Sequence, residues 1–571
     1  MEWCGPRGDD RIHCSLLGYF FRTMNPLSDG KSDDRYRACR SVLGNAAWDR
    51  LAALCAKALD EHSLSVVLLE NHDNRFPEFL PELARLEEIA SAVGGRKASL
   101  PQEHSRPLVN PTIQITQLSW KNLASFLDPD LNVFTVHPIR ASERVLLWNN
   151  PFTDRVSARP VNDEDLLVLK MIVEGISTED VAAQGGLPLG AVDAAMSRAA
   201  ASGLILTPPS LIRRDPKLFP RDKGIPGQYL SSPSFTLQWH ITQACDLHCK
   251  HCYDRSNRAQ VQLDQAIGIL DDLRTFCKSK YVAGGVSFTG GNPLLHPSFP
   301  EIYRAAVERG FSTAILGNPA PTERIAELIA IQMPSFYQVS LEGLQEHNDA
   351  IRGPGHFDRV LAFLEVLKGL NVYAMVMLTL TSMNIDQVLP LAEILRGKAD
   401  IFHFNRLSMV GEGSQLRLPE ARHYRSFLDA YLDAARMNPV MGIKDNLINI
   451  IQREQGVSPF GGCTGHGCGA AFNFVSLLPD GEVHACRKFP SLIGNIYRQS
   501  LAEIYDSDQA RRYRSGSAAC RSCNLRAVCG GCLASAHSHN RDVFKDKDPF
   551  CFMSDAEHED VKRRASSNTI G

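Results

Sequence analysis

Cysteine placement constrains this chain more than any other feature. Eleven of its 16 cysteines fall in two groups: Cys245, Cys249 and Cys252, then, far downstream, Cys463, Cys468, Cys486, Cys520, Cys523, Cys529, Cys532 and Cys551. Only Cys4, Cys14, Cys39, Cys55 and Cys277 lie outside, and they read as buried, inert thiols. A chain of 571 residues can bury several cores and does not need disulfides for stability. In a reducing compartment, clusters of this kind are metal ligands rather than a disulfide framework. The opening MEWCGPRGDDR carries acids where a signal peptide carries only bases. The apolar run Leu16-Leu17-Gly18-Tyr19-Phe20-Phe21 is far short of the ~20 residues a bilayer demands. A cytoplasmic protein with no membrane partner is therefore expected. A net charge of −3 excludes a globally basic nucleic-acid scaffold.

Residues 1–130 read as a helical N-terminal domain, with helical spacing of apolar residues over 79–90, Pro81 in a first turn and a break at Gly94-Gly95. Residues 131–207 read differently. Two strand-like runs flank the turn-rich NNPFTD, and three short helices follow: one from Asn162 to Glu174, one capped by Ser177, one begun at Pro188 and closed near Gly203. A hairpin before three helices resembles a winged helix, specifically the PqqD-like peptide-recognition element of peptide maturases. A winged helix can also bind DNA, and charge decides. Between Val161 and Thr207 the only bases are Lys170 and Arg198, against Asp163, Glu164, Asp165, Glu174, Glu179, Asp180 and Asp193. Phosphate contacts supply most nonspecific DNA affinity, so peptide docking is the expectation and no nucleic-acid partner is.

Residues 208–234 are rich in Pro, Ser and charge and read as a linker. From there strand-like runs (235–241, 285–289, 313–316, 336–341, 373–380, 401–407) alternate with helical ones such as 260–278, 299–309 and 357–369. Such alternation implies a parallel α/β barrel or open sheet over 235–415, and six units are too few for an eightfold barrel. A helical connection (416–460), the second cysteine group (461–555) and a tail (556–571) complete the chain.

Directly after the first of these strands comes Cys245-x3-Cys249-x2-Cys252. A structural zinc site wants four ligands, which His248 or His251 could complete. A [4Fe–4S] cluster wants one thiolate per iron, so three would leave one iron open to a cosubstrate. The Cys-x3-Cys-x-aromatic-Cys pattern at this place resembles the radical S-adenosylmethionine (SAM) superfamily, whose fold here would be a partial (β/α)6 barrel. By that resemblance His251 and Tyr253 lie near SAM, with His251 beside the adenine. Thr289-Gly290-Gly291-Asn292-Pro293 resembles the Gly-Gly-Glu-Pro motif that binds the methionine amino group, with Asn292 in place of Glu. Ser340-Leu341-Glu342-Gly343 followed by His347 and Arg352 resembles SLDG…HD…RG. That match implies Ser340 on the ribose side, Glu342 in the SAM site and Arg352 on the methionine carboxylate, which a planar guanidinium suits.

Cys520-x2-Cys523-x5-Cys529-x2-Cys532 alone reads as a zinc ribbon. Preceded by Cys463-x4-Cys468 and Gly481-x4-Cys486 and followed by Cys551, it resembles the SPASM extension of radical SAM peptide maturases. The resemblance implies two auxiliary [4Fe–4S] clusters, one on Cys463, Cys468, Cys486 and Cys532, the other on Cys520, Cys523, Cys529 and Cys551. With Cys245, Cys249 and Cys252 the total is three clusters, and His466 and His484 are not needed as ligands. The sulfatase-maturing branch places an acid beside the cysteine after the hairpin, whereas Arg487 follows Cys486 here, which argues against formylglycine formation.

The resemblance implies a mechanism. A reduced cluster cleaves SAM to methionine and a 5′-deoxyadenosyl radical, which removes a hydrogen atom from a precursor peptide held by its leader. A reductant such as flavodoxin or ferredoxin supplies the electron. GGNPLLHP and CRKFP resemble the thio(seleno)oxazole-modification, or selenobiotic peptide, maturases, which implies a Cys- or Sec-containing target. The alternatives are a SPASM enzyme acting on a small molecule or folded protein, and a nonenzymatic Fe–S winged-helix regulator.

Overall fold

Residues 34–55, 63–70, 75–96, 104–128, 130 and 133–553 are described in a computed structural model of the chain. They form two units, one within Phe21–Pro209 and one within Ser210–Gly571. Cys4, Cys14, the 16–21 apolar run and the tail 556–571 lie outside the described residues, as does the Cys55 side chain.

In the first unit the helices Arg37–Leu43, Asn45–Cys55, Leu64–Glu70 and Leu80–Gly95 precede strands β1 (Leu108–Val109), β2 (Gln114–Lys121), β3 (Ile139–Asn150), β4 (Arg155–Pro160) and β5 (Ile205–Leu206). The expected hairpin is β3–β4, and β2 joins it in the order β2-β3-β4, while β1 pairs with β5. An all-helical reading of residues up to 130 is thus corrected. In QITQLSWK only Thr116 and Leu118 are buried, two residues apart, the spacing of one strand face rather than a helix. The three expected helices are present as Asp163–Glu174, Thr178–Gly185 and Leu189–Ala201. Asn162 and Asp165 form a reciprocal capping box, and Ser177 accepts the Asp180 N–H at 3.0 Å. Cys39 is buried here, as expected of an inert thiol.

The second unit is organised by one nine-stranded sheet. Strands β6 (Ser234–Thr242), β7 (Ala283–Gly290), β8 (Ser312–Leu316), β9 (Tyr337–Ser340), β10 (Ala374–Leu380) and β11 (Ile401–Arg406) are parallel and lie side by side in chain order. Helices including Leu263–Lys280, Phe299–Glu308, Thr322–Ile331 and His356–Gly369 make the crossovers. This is the expected six-unit α/β architecture, and β6 and β11 are not paired with each other. Beyond β6 the sheet continues through β12 (Phe474–Leu477), parallel to β6, and the antiparallel β13 (Glu482–His484) and β14 (Leu492–Asn495). The first of the six parallel strands is therefore hydrogen-bonded to the hairpin that delivers Cys486, a continuity no local pattern announces.

The linker reading of 208–234 misses how that segment packs. Ile212, Phe219, Ile225 and Leu230 belong to the main core. Arg214 is buried, stacked between Phe219 and Phe472 with its guanidinium carbon 4.3 and 4.0 Å from the two ring centres. It donates to the carbonyls of Cys468 (2.6 Å), His466 (3.3 Å) and Arg514 (2.9 Å). Burial pushes its pKa down to about 10. Proline and serine gave the segment a loop composition, but its apolar residues are spaced to cover one surface.

Candidate active site

Cys245, Cys249 and Cys252 sit on the loop that leaves β6. That loop is clamped from the end of β7. The Gly291 N–H donates to the Thr242 carbonyl at 2.9 Å and the Asn292 N–H to the Ala244 carbonyl at 2.7 Å. A Cβ on Gly290 would lie 2.3 Å from the Thr242 oxygen, and one on Gly291 2.2 Å from the Ala244 oxygen. The glycine pair is needed for this approach of two backbones. Asn292 turns its side-chain amide to Asp246 (3.0 Å) and accepts the Leu294 N–H. Asn318, after β8, donates to the same Asp246 oxygen at 2.7 Å and contacts the Cys245 sulfur at 3.7 Å.

Arg352 and Glu342 meet on the other side of the loop. The Arg352 Nη1 lies 3.7 Å from the Cys249 sulfur, while Nε and Nη2 donate to Glu342 Oε1 at 2.9 and 2.5 Å. Glu342 Oε2 accepts the Thr379 N–H at 2.8 Å. Burial alone would push the Glu342 carboxyl up, but His251, Arg352 and the Thr379 N–H outweigh it and hold it below the ordinary carboxylate range. Burial drives His251 down to about 4, so its partner Glu342 is countered at neutral pH by Arg352. Arg352, expected on a carboxylate of SAM, thus already has an internal carboxylate on two of its nitrogens.

His251 Nδ1 and His347 Nε2 are buried without a hydrogen-bond partner among the described residues. Buried polar atoms are rarely left so; His251 belongs to the residues expected around SAM, and His347 to the motif that follows Ser340. Ser340 ends β9 beside Met377 of β10. Tyr253 is half-buried, with its hydroxyl 2.9 Å from a ring nitrogen of His240 on β6. Burial raises the Cys249 pKa, Arg352 opposes it, and Glu342, Cys245 and Cys252 raise it further.

The downstream cysteines come together in two sets. Burial pushes Cys468 up to about 12, with Cys532, Cys486 and Cys463 adding to the shift, and Cys486 up to about 11, with Cys532 and Cys463 among its neighbours. The other set is Cys520, Cys523, Cys529 and Cys551, which line one cavity with Leu447, Ile450 and Met553. Among the described residues no three Cys, His, Asp or Glu side chains converge as a single ion requires. A cluster distributes its irons, one to each thiolate, so two sets of four thiols and one set of three fit that chemistry.

Several residues that build this region carry no motif. Asn446 donates to the carbonyls of Cys529 (2.9 Å) and Gly531 (2.7 Å) and accepts the Cys463 N–H (2.6 Å), tying the two sets together. Arg406 of β11 pairs with Asp445 (3.0 Å) and Asp548 (2.8 Å), and Asp548 accepts the Cys532 N–H at 2.9 Å. Lys444 is pushed down to about 8, first by burial, then by the balance of Cys463 against Lys488 and Arg487. His466 and His484 bond to the Tyr229 carbonyl and to Glu482.

Residues 239–395 match the model of the Radical SAM superfamily and residues 468–524 that of the SPASM iron-sulfur cluster-binding domain. The protein is a radical SAM enzyme with a SPASM segment, a class whose typical cofactors are SAM and [4Fe–4S] clusters. It is 25% identical to an AdoMet-dependent heme synthase of Methanosarcina barkeri over 55% of this chain and 95% of that one. It is 28% identical to the mycofactocin maturase MftC of Mycolicibacterium smegmatis, over 52% of this chain and 78% of the relative. With the antilisterial bacteriocin subtilosin biosynthesis protein AlbA of Bacillus subtilis it shares 25% identity, over 53% and 68%. Among solved structures, Streptococcus suis SuiB bound to precursor peptide SuiA aligns with 72% of this chain and 97% of its own at 15% identity and a TM-score of 0.47. Among the described residues no helix is long and apolar enough to cross a membrane.

Proposed function

We propose that this enzyme oxidatively modifies a ribosomally synthesised precursor peptide with a Cys- or Sec-containing target. The observation that carries the reading is the unit within Phe21–Pro209. A heme synthase matched over 95% of its own length accounts for 55% of this chain, and MftC and AlbA account for 52% and 53%, so the chain carries much beyond the segment it shares with either class. That unit includes a three-stranded sheet followed by three helices, the first two acidic and the third with one acid against one base, a surface suited to a peptide and not to phosphates. Two relatives bear names of this kind, a mycofactocin maturase and a bacteriocin biosynthesis protein.

In this reading Cys245, Cys249 and Cys252 hold the cluster that leaves one iron open, and the SAM site is formed by His251, Tyr253, the 289–293 turn, Ser340, Glu342 and Arg352. Cluster and SAM, when bound, supply the carbon radical that removes a hydrogen atom from substrate. The chain's own work is positional. Gly290 and Gly291 press the cysteine loop against β7, Glu342 fixes the Arg352 fork, and buried His240 holds the Tyr253 hydroxyl. The two downstream sets of four thiols saturate two auxiliary clusters, which suits them to take up an electron rather than bind substrate. The external reductant is of the flavodoxin or ferredoxin class, and the site of action is the cytoplasm.

The test is anaerobic. The reconstituted protein is given SAM, dithionite and a leader-bearing precursor peptide, and 5′-deoxyadenosine and peptide mass are followed together. Leader-dependent deoxyadenosine with loss of hydrogen from the peptide supports the reading. Turnover that ignores peptide and responds to a tetrapyrrole carboxylate favours the small-molecule reading, which the heme synthase coverage supports.

A further inference from the structure

We propose that Lys444 anchors a carboxylate carried by the substrate; that this carboxylate is an acidic side chain near the modified residue rests on the peptide reading above. Phe404 of β11 packs on Phe427 and Tyr431 of the helix Ala421–Met437, so the alternate residues Ile401, His403 and Asn405 face the opposite wall of the sheet. On that wall Ser340, Met377 and His403 stand in register across β9, β10 and β11. β11 ends the sheet order, and residues 440–442 run along its free edge. The Phe402 N–H donates to the Val440 carbonyl at 2.6 Å and the Gly442 N–H to the Phe402 carbonyl at 2.9 Å. A Cβ on Gly442 would strike the His403 ring and lie 2.6 Å from Ile401 Cδ1, which puts position 442 on the wall of Ser340. Asp445 turns the other way, to Tyr424 at 2.8 Å and Arg406 at 3.0 Å. Lys444, two residues past Gly442 and next to Asp445, therefore joins the wall of Ser340 and His403, at the end of the strands where a parallel sheet receives ligands.

That wall offers no acid to meet the ammonium. The six parallel strands carry neither Asp nor Glu, and Glu342, just past β9, is taken by Arg352. Lys444 is half-buried, and among the described residues its side chain has no ion-pair or hydrogen-bond partner. Like charge surrounds it: burial, Lys488 and Arg487 lower the Lys444 pKa, against Cys463 and Cys486, which the reading above commits to a cluster. A half-enclosed cation among like charges is costly until a ligand supplies the anion.

The probe is a synthetic library of short peptides with a central cysteine, random flanks and both ends blocked. It is offered to the reconstituted, unreduced protein, bound peptides are read by mass spectrometry, and iron is measured for every variant. The wild type should enrich peptides with Asp or Glu over their Asn and Gln counterparts about 10-fold or more, the worth of one charge-assisted contact. Lys444→Met should erase that preference, and Lys444→Glu should turn it towards Lys and Arg. A porphyrin tetracarboxylate is the second probe. If it binds in a Lys444-dependent way and no peptide is enriched, the anchor stands and the peptide reading falls. The proposal is overturned if peptides are enriched without regard to acids, if the acidic preference survives K444M, or if neither probe binds. Should K444M lose iron, acylation of the wild-type lysines decides: protection of Lys444 by a bound acidic probe supports the proposal, and unchanged labelling overturns it.

Discussion

Glu342 is a carboxylate with almost no solvent, one guanidinium, the His251 ring and one backbone N–H. Removing one partner of such a pair leaves a buried, uncompensated charge, so Glu342→Ala should lower the unfolding free energy by about 3–5 kcal/mol in a denaturant titration; an unchanged midpoint would contradict the pairing. Because its folded pKa is depressed, its contribution is present above the unfolded value, near ~4.3, and is lost as pH falls through the lower folded value. Two histidines act over a higher window. Burial drives His403 down to about 3 and His356 to about 4, so between the unfolded value of ~6.5 and about 4 the unfolded chain binds more protons. Wild-type stability should therefore fall as pH drops from ~6.5 towards 4, and His403→Gln/His356→Gln should flatten that slope. The thiols were legible at this scale because their spacing is local. Asp246, Asn318, Asn446 and the Glu342–Thr379 contact were not, since each works through partners from distant segments and belongs to no pattern.

Elements were legible where a period was clean. The six strands of the parallel sheet and the capped helices after Asn162 and Ser177 stand where periodicity and caps put them. Strand β2 was hidden by the helices before it, and residues 208–234 by a composition typical of loops. The turn after β7 offers a direct test. Gly291→Ala would force a Cβ to 2.2 Å from the Ala244 carbonyl, which no side-chain movement can relieve. Iron per chain should then fall by about four, one cluster's worth, while the downstream sets stay loaded; full iron content would show that the loop can move away. In the segment once read as linker, Arg214→Met removes donors to three carbonyls and should cost about 3 kcal/mol or more, read as a lowered thermal midpoint.

For the molecule as a whole, the division at Pro209 and Ser210 predicts two transitions in calorimetry of the reconstituted protein. Chelating iron should shift only the one belonging to the unit that contains the thiols; a single transition that moves as a block would count against two units. Within the second unit there is no comparable seam. β12 is laddered onto β6 through Phe474↔Thr236 to Leu477↔Trp239, so the hairpin carrying Cys486 continues the same sheet as the six parallel strands. Anyone wishing to graft a different SPASM segment onto this catalyst cannot cut at the residues where the two family matches end. The transplant would have to bring β12 in register with β6, or leave raw an edge that the native chain never exposes. What looks like two exchangeable cassettes along the chain is, in three dimensions, a single woven piece.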